Sequence, residues 1–151
     1  MQNVFDAQDA QEYINRINNL TPETQRKWGK MSVDQVLAHL NVAYDLTFTP
    51  EKFPKPSFIA KFLLSKFVKP KITNEIPYKQ SLPTSPVFII ADERNFEEEK
   101  AKLIGNIQRV QQLGREAFEG KENINFGKMT AQCWNNMFAK HLNHHLEQFG
   151  V

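Results

Sequence analysis

The sequence predicts an all-α fold of four long helices, with a long and partly helical connection between the second and the third. Three observations predict it. Four stretches carry apolar residues at steps of three and four, and no alternating strand pattern of comparable length competes with them. Most of the prolines crowd into residues 47–91, which marks that span as the connection. A chain of 151 residues, 40% of them apolar, is the size of one domain with a sizeable core.

The first helix is expected over residues 6–18, with Ala10, Tyr13, Ile14 and Ile17 on one face; Pro22 prevents its continuation. The second starts at Ser32. Ser32 and Gln35 form an S-x-x-Q capping box, and Met31 is placed to staple onto Val36. Val33, Val36, Leu37, Leu40, Ala43 and Leu46 make its apolar stripe, and His39 lies beside that stripe. The third is expected over 92–118, with an acidic start (Asp92, Glu93, Glu97, Glu98, Glu99) that suits the positive end of a helix dipole. Phe96, Leu103, Ile107, Val110 and Leu113 face inward, while Gly105 and Gly114 suggest a bend or close packing. The fourth opens on Thr130 as N-cap, with Met129 and Trp134 as a hydrophobic staple, and stops at Gly150. Helices two and four share an entry, WGKMS and FGKMT, a weak internal echo.

Within the connection, SFIAKFLLSKFV has the pattern of a short amphipathic helix. The wider segment 51–71 holds six lysines, four phenylalanines and one acid. Such a segment can bind a membrane surface or act as a lid over a site. The expectation adopted is that its Phe and Leu residues close one end of the bundle while the lysines stay in water. SLPTSPVF, residues 81–88, reads as a rigid approach to the third helix.

Net charge is +2, too small to steer nucleic acid. Cys133 is the sole cysteine, so no intramolecular disulfide forms and a reducing cytosol is the expected compartment. The opening MQNVFDAQDAQEY has no apolar core of a secretory signal, and no stretch reaches the roughly 20 apolar residues of a membrane span. The expectation is a cytoplasmic, single-domain protein, residues 1–151, with no nucleic-acid and no membrane partner.

HLNHHLEQFG, residues 141–150, contains three of the four histidines. Residues four apart share a helix face, so His141 and His145 can aim two imidazoles at one point. A tightly held catalytic metal usually takes three protein ligands and keeps a position open. His39 would supply the third nitrogen if helices two and four are neighbours. Hydrogen-bonded core histidines, or a histidine serving a helix C-terminus, would give the same spacing. Glu147, two residues from His145, should point away from such a site. Gln35 and Gln148 could orient a substrate or a water, or be ordinary surface amides. Cys133, two turns before His141, reads as a buried, inert thiol rather than a nucleophile.

H-x-x-H-H-x-x-Q (His141, His144, His145, Gln148) resembles the last-helix motif of DinB-like (YfiT-like) proteins. WGKMSVDQVLAHL resembles their second helix, which ends on a ligand histidine. ADERNFEEEKAKLI and HHLEQFGV resemble a subfamily of unknown function. The resemblance implies a DinB-like four-helix bundle binding a divalent metal through His39, His141 and His145, with His144 outside the ligand set. Imidazole nitrogens suit zinc, nickel, iron or copper. It further implies a metal-dependent enzyme on a small molecule, of thiol-dependent S-transferase or hydrolase type, with a low-molecular-weight thiol as partner. Relatives often dimerise, so a homodimer is a further expectation. The rival is a non-catalytic helical binding or stress-response protein with structural histidines.

Overall fold

In the computed structural model, which describes residues 1–151, the four expected long helices form and pack together. α1 (Ala7–Asn18) starts on Asp6, whose carboxylate accepts from the N–H groups of Gln8 and Asp9. α2 (Val33–Phe48) starts on Ser32. There the Ser32 N–H donates to Gln35 Oε1 at 3.0 Å, and the Ser32 hydroxyl donates to the Asp34 carboxylate. The connection carries α3 (Phe58–Leu63), a π-helical turn (Leu64–Val68) and α4 (Lys69–Thr73). α5 (Phe96–Leu113) and α6 (Ala131–Gln148) complete the set, and the Thr130 side chain caps α6 by accepting from the Cys133 N–H.

α2 packs against α5 and α6, and α1 packs against the same two helices. Their shared core includes Tyr13, Ile17, Leu37, Leu40, Leu103, Ile107, Trp134, Phe138 and Leu142, all fully buried. Tyr44 of α2 stacks on Phe138 of α6, with centroids 4.7 Å apart and rings 6° from parallel. That stacked pair locks the two histidine-bearing helices side by side. A buried amide does the same for α2 and α5. Asn41 donates to the Glu99 carbonyl and carboxylate at 3.0 and 2.7 Å, and accepts from Asn106 at 3.0 Å.

Three expectations need correction. The third helix covers Phe96–Leu113 rather than 92–118. Asn95 caps it by accepting from the Glu98 N–H at 3.2 Å, leaving Asp92 and Glu93 in the preceding loop. Gly114, at φ +72°, ends it in a conformation that only glycine adopts cheaply, and Arg115–Phe118 form a separate 3₁₀ turn. Nor does close packing explain Gly105, since a Cβ added there would meet open space.

The second correction concerns α3. Its phenylalanines do not close the bundle: Phe58, Phe62 and Phe67 are 87%, 57% and 58% exposed. Instead Leu64, Val68 and Ile72 line a cavity above α2 and α6. α4 is fastened to α6 by buried polar groups. Asn136 donates to the Thr73 carbonyl at 2.8 Å, and the Lys140 ammonium donates to the Lys71 carbonyl and to Asn74 Oδ1, each at 2.7 Å.

The third is a small antiparallel hairpin between α5 and α6, β1 (Glu122–Asn123) and β2 (Gly127–Lys128), which the sequence reading did not anticipate. Strands of two residues are too short to show alternation. The turn is held by Asn123 Oδ1, which accepts from the N–H groups of Asn125 and Phe126 at 2.9 and 3.2 Å. No helix is long and apolar enough to cross a membrane.

Candidate metal centre

His39 stands on the flank of α2 that faces α6, with its ring against those of His141 and His145. The ligand nitrogens of His39, His141 and His145 all lie within 4.8 Å of one another. His39 and His145 are buried, and His141 is half-buried. The three rings meet edge to face, with centroids 4.5–5.0 Å apart.

Two of the rings are locked in one tautomer. His39 Nδ1 lies 2.8 Å from the Phe88 carbonyl, which can only accept, so Nδ1 carries the proton and Nε2 presents a lone pair. His145 Nδ1 lies 2.8 Å from Gln148 Oε1. The Gln148 amide is itself oriented, because its Nε2 donates to the Trp28 carbonyl at 2.8 Å. Its oxygen therefore faces His145, takes the Nδ1 proton, and leaves Nε2 of that ring free. Such oxygen partners behind a histidine are the usual way a ligating imidazole is aimed.

His39 Nε2 and His141 Nε2 approach to 2.9 Å. Two bare lone pairs that close repel, so the pair needs a proton or a cation shared with it. The residues thus fit a divalent metal on their own chemistry: three neutral nitrogens converge, two with their second nitrogen already satisfied.

Burial keeps these rings neutral. Desolvation holds His39, His141 and His144 below the ordinary imidazole value of 6.5, His141 well below, and pushes His145 down to about 3. The neighbouring histidines add to the shift at His141 and His145, since each charge would repel the next.

His144 stands outside the trio, as expected from its place at the edge of the helix face. It lies edge-on to Trp28 at 6.0 Å and to Tyr78 at 5.6 Å. Glu147 is exposed and, with Glu75, lines an adjoining pocket that shares Tyr78, Lys140 and His144 with the cavity beside the trio but does not reach the three histidines. Cys133 is half-buried rather than buried, and does not line the cavity beside the histidines. Gln35 closes the cap of α2 and touches the Asp92 carbonyl at 3.4 Å, so its amide is spent on structure. Gln148 is neither a surface amide nor a partner of substrate: it is buried and orients His145.

The Phe88 carbonyl was not legible in the sequence, since no side-chain motif signals a backbone acceptor. Gly29 is equally silent in the sequence: it lies at φ +81°, and a Cβ there would collide with the Gln148 side chain. Gly29 therefore permits Gln148 to reach Trp28.

The trio forms one wall of a cavity of about 670 Å³. Ala43, Leu46, Leu64, Val68, Ile72 and Phe126 are among its apolar lining. Its polar groups are Tyr78, Lys71, Lys79, Lys140, Asn74, Asn123, Asn125, Thr84, Ser85 and His144, and no Asp or Glu lines it. The Lys140 ammonium sits 4.4 Å over the Tyr78 ring, and burial lowers its pKa. Burial also pushes the Tyr78 phenol up to about 12, so it stays protonated at neutral pH.

No curated protein and no solved structure matches the chain. A family model described as a protein of unknown function, DUF1569, does match, over residues 2–150. With that match spanning nearly all of it, the chain belongs to the DUF1569 family.

Proposed function

We propose that this chain is a DinB-like metalloprotein. In this reading His39, His141 and His145 hold one divalent ion, zinc, nickel or iron, and the cavity beside them receives a small-molecule substrate. The observation that carries the reading is the pair of locked tautomers. The Phe88 carbonyl and Gln148 each take the Nδ1 proton of a histidine whose other nitrogen turns toward a common point.

An ion bound there would polarise an oxygen or bring the pKa of a water or a thiol toward neutrality. The chain's own residues favour a thiol-dependent transferase over a hydrolase. Hydrolysis at a metal centre is commonly assisted by a carboxylate base, and the cavity has none. Lys71, Lys79 and Lys140 instead bring positive charge to the same space, which suits an anionic or thiolate-forming partner. The Tyr78 hydroxyl and His144 are the groups placed to donate or accept a proton beside the trio. The apolar lining removes water from a bound substrate and accommodates a hydrocarbon or aromatic body.

The test is a thiol-transfer assay on metal-loaded protein with several low-molecular-weight thiols and an electrophilic acceptor. Turnover that needs both metal and thiol, and that His141→Ala abolishes, is the expected result. Metal-loaded protein without turnover on any thiol, but active on ester or amide substrates, would assign the hydrolase form. Inactivity on both would favour the non-catalytic binding role.

A further inference from the structure

α3 inverts the usual arrangement of a surface helix. Its outward face is the apolar one: Phe58, Ile59, Phe62, Leu63 and Phe67 are all exposed. The π-helical turn keeps this face continuous. One residue more per turn places Phe67, rather than Lys66, below Phe62. The Lys66 ammonium lies at the flank, 5.9 Å from the Phe62 ring and 5.8 Å from the Phe67 ring.

The polar contacts of this segment are turned the other way, toward the body of the protein. Lys61 pairs with Glu122 at 2.7 Å, and Lys69 donates to the Lys128 carbonyl at 2.8 Å. Both partners belong to the β1–β2 hairpin region. The helix is thus anchored by its inner face, and its aromatic face is left outward with Lys66 at its flank, while Lys52 and Lys55 are exposed in the segment leading into it.

We propose that the exposed face of α3 docks on an anionic lipid surface, its phenylalanines entering the headgroup boundary and its lysines meeting the phosphates. The charge balance selects this occupant. With Lys61 and Lys69 spent on the hairpin and Lys71 turned to the cavity, the exposed charges of residues 51–67 are Lys52, Lys55 and Lys66 against Glu51. A second copy docked by a two-fold axis would set this positive charge against itself, because such an interface is self-complementary. An anionic bilayer meets both features at once: aromatic groups insert at the acyl boundary, and lysines gain from the negative surface. Nothing in this inference depends on the metal centre, which lies on α2 and α6.

Co-sedimentation of the full chain tests it, with vesicles of phosphatidylcholine mixed with phosphatidylglycerol and with vesicles of phosphatidylcholine alone. Binding to the mixed vesicles, weakened by added salt and much weaker on the neutral ones, is the expected result. Phe62→Ser with Phe67→Ser should abolish it. Lys55→Glu with Lys66→Glu should lower it roughly tenfold or more, with circular dichroism unchanged for both variants. No binding to mixed vesicles, or equal binding to the two kinds, overturns the proposal. A dimer in light scattering that Phe62→Ser dissolves also overturns it and gives the face to a second copy.

Discussion

At the scale of the residue, the histidine trio is aimed by groups that stand behind the imidazoles. Gln148 is the sharpest case, since one amide joins the Trp28 carbonyl to His145 Nδ1. Replacing it by leucine removes the oxygen that fixes the His145 tautomer, and metal affinity should fall roughly 10–100-fold with little loss of helix content. Titration of chelator-treated protein with zinc measures it, and unchanged affinity would show that Gln148 serves packing alone. The three ligand candidates were readable from H-x-x-x-H spacing and a lone histidine a hundred residues earlier. Their orientation was not, because it comes from a backbone carbonyl in a loop and from an amide whose partner is set by tertiary contact. Gly29 was equally silent: its left-handed backbone, and the Gln148 amide that leaves no room for a Cβ there, exist only in the folded chain.

At the scale of the element, helix starts were legible and one helix stop was misjudged. Ser32 and Thr130 each stand at the N-cap expected for them, since a short polar side chain before an apolar stripe leaves few alternatives, and Asp6, expected as the first helical residue, is the N-cap of α1. Residues 92–118 looked like one helix because acidic and apolar residues continue the period past both real ends. Asn95 and the positive φ of Gly114 cut it to Phe96–Leu113. Gly105, inside that helix with open space around it, costs stability for no packing gain. Gly105→Ala should therefore stabilise the protein by about 0.5–1 kcal/mol, read as a higher denaturant midpoint at unchanged slope. A destabilised variant would reveal a contact at that position. The connection was legible as an amphipathic segment, but which face it turns to water was not. Periodicity gives the angle between faces and leaves their direction to the partners, here the hairpin and α6.

At the scale of the whole molecule, the bundle holds four imidazoles, two buried and two half-buried, whose proton affinities are all reduced by desolvation. In the unfolded chain these rings protonate near 6.5, while in the folded chain His145 holds out to about 3. Below 6.5 the unfolded state therefore binds more protons, and folding stability falls as pH falls. Chelator-treated protein should lose thermal stability steadily from pH 6.5 downward. Bound metal should oppose that loss while it remains bound, because it stabilises only the folded state. A flat melting temperature across that range in the absence of metal would contradict the burial of the trio. The all-α class was legible at this scale because four helical periods dominate the chain. The cavity was not, since its roof is assembled from the proline-rich connection and the hairpin, neither of which carries a strong local pattern. The most direct test of the central claim is the metal content of protein purified without a histidine tag, beside its His39→Ala variant. One divalent ion per chain in the wild type, lost in the variant while the helical spectrum persists, is the predicted result. Substoichiometric metal that His39→Ala leaves unchanged would contradict a centre built on His39, His141 and His145.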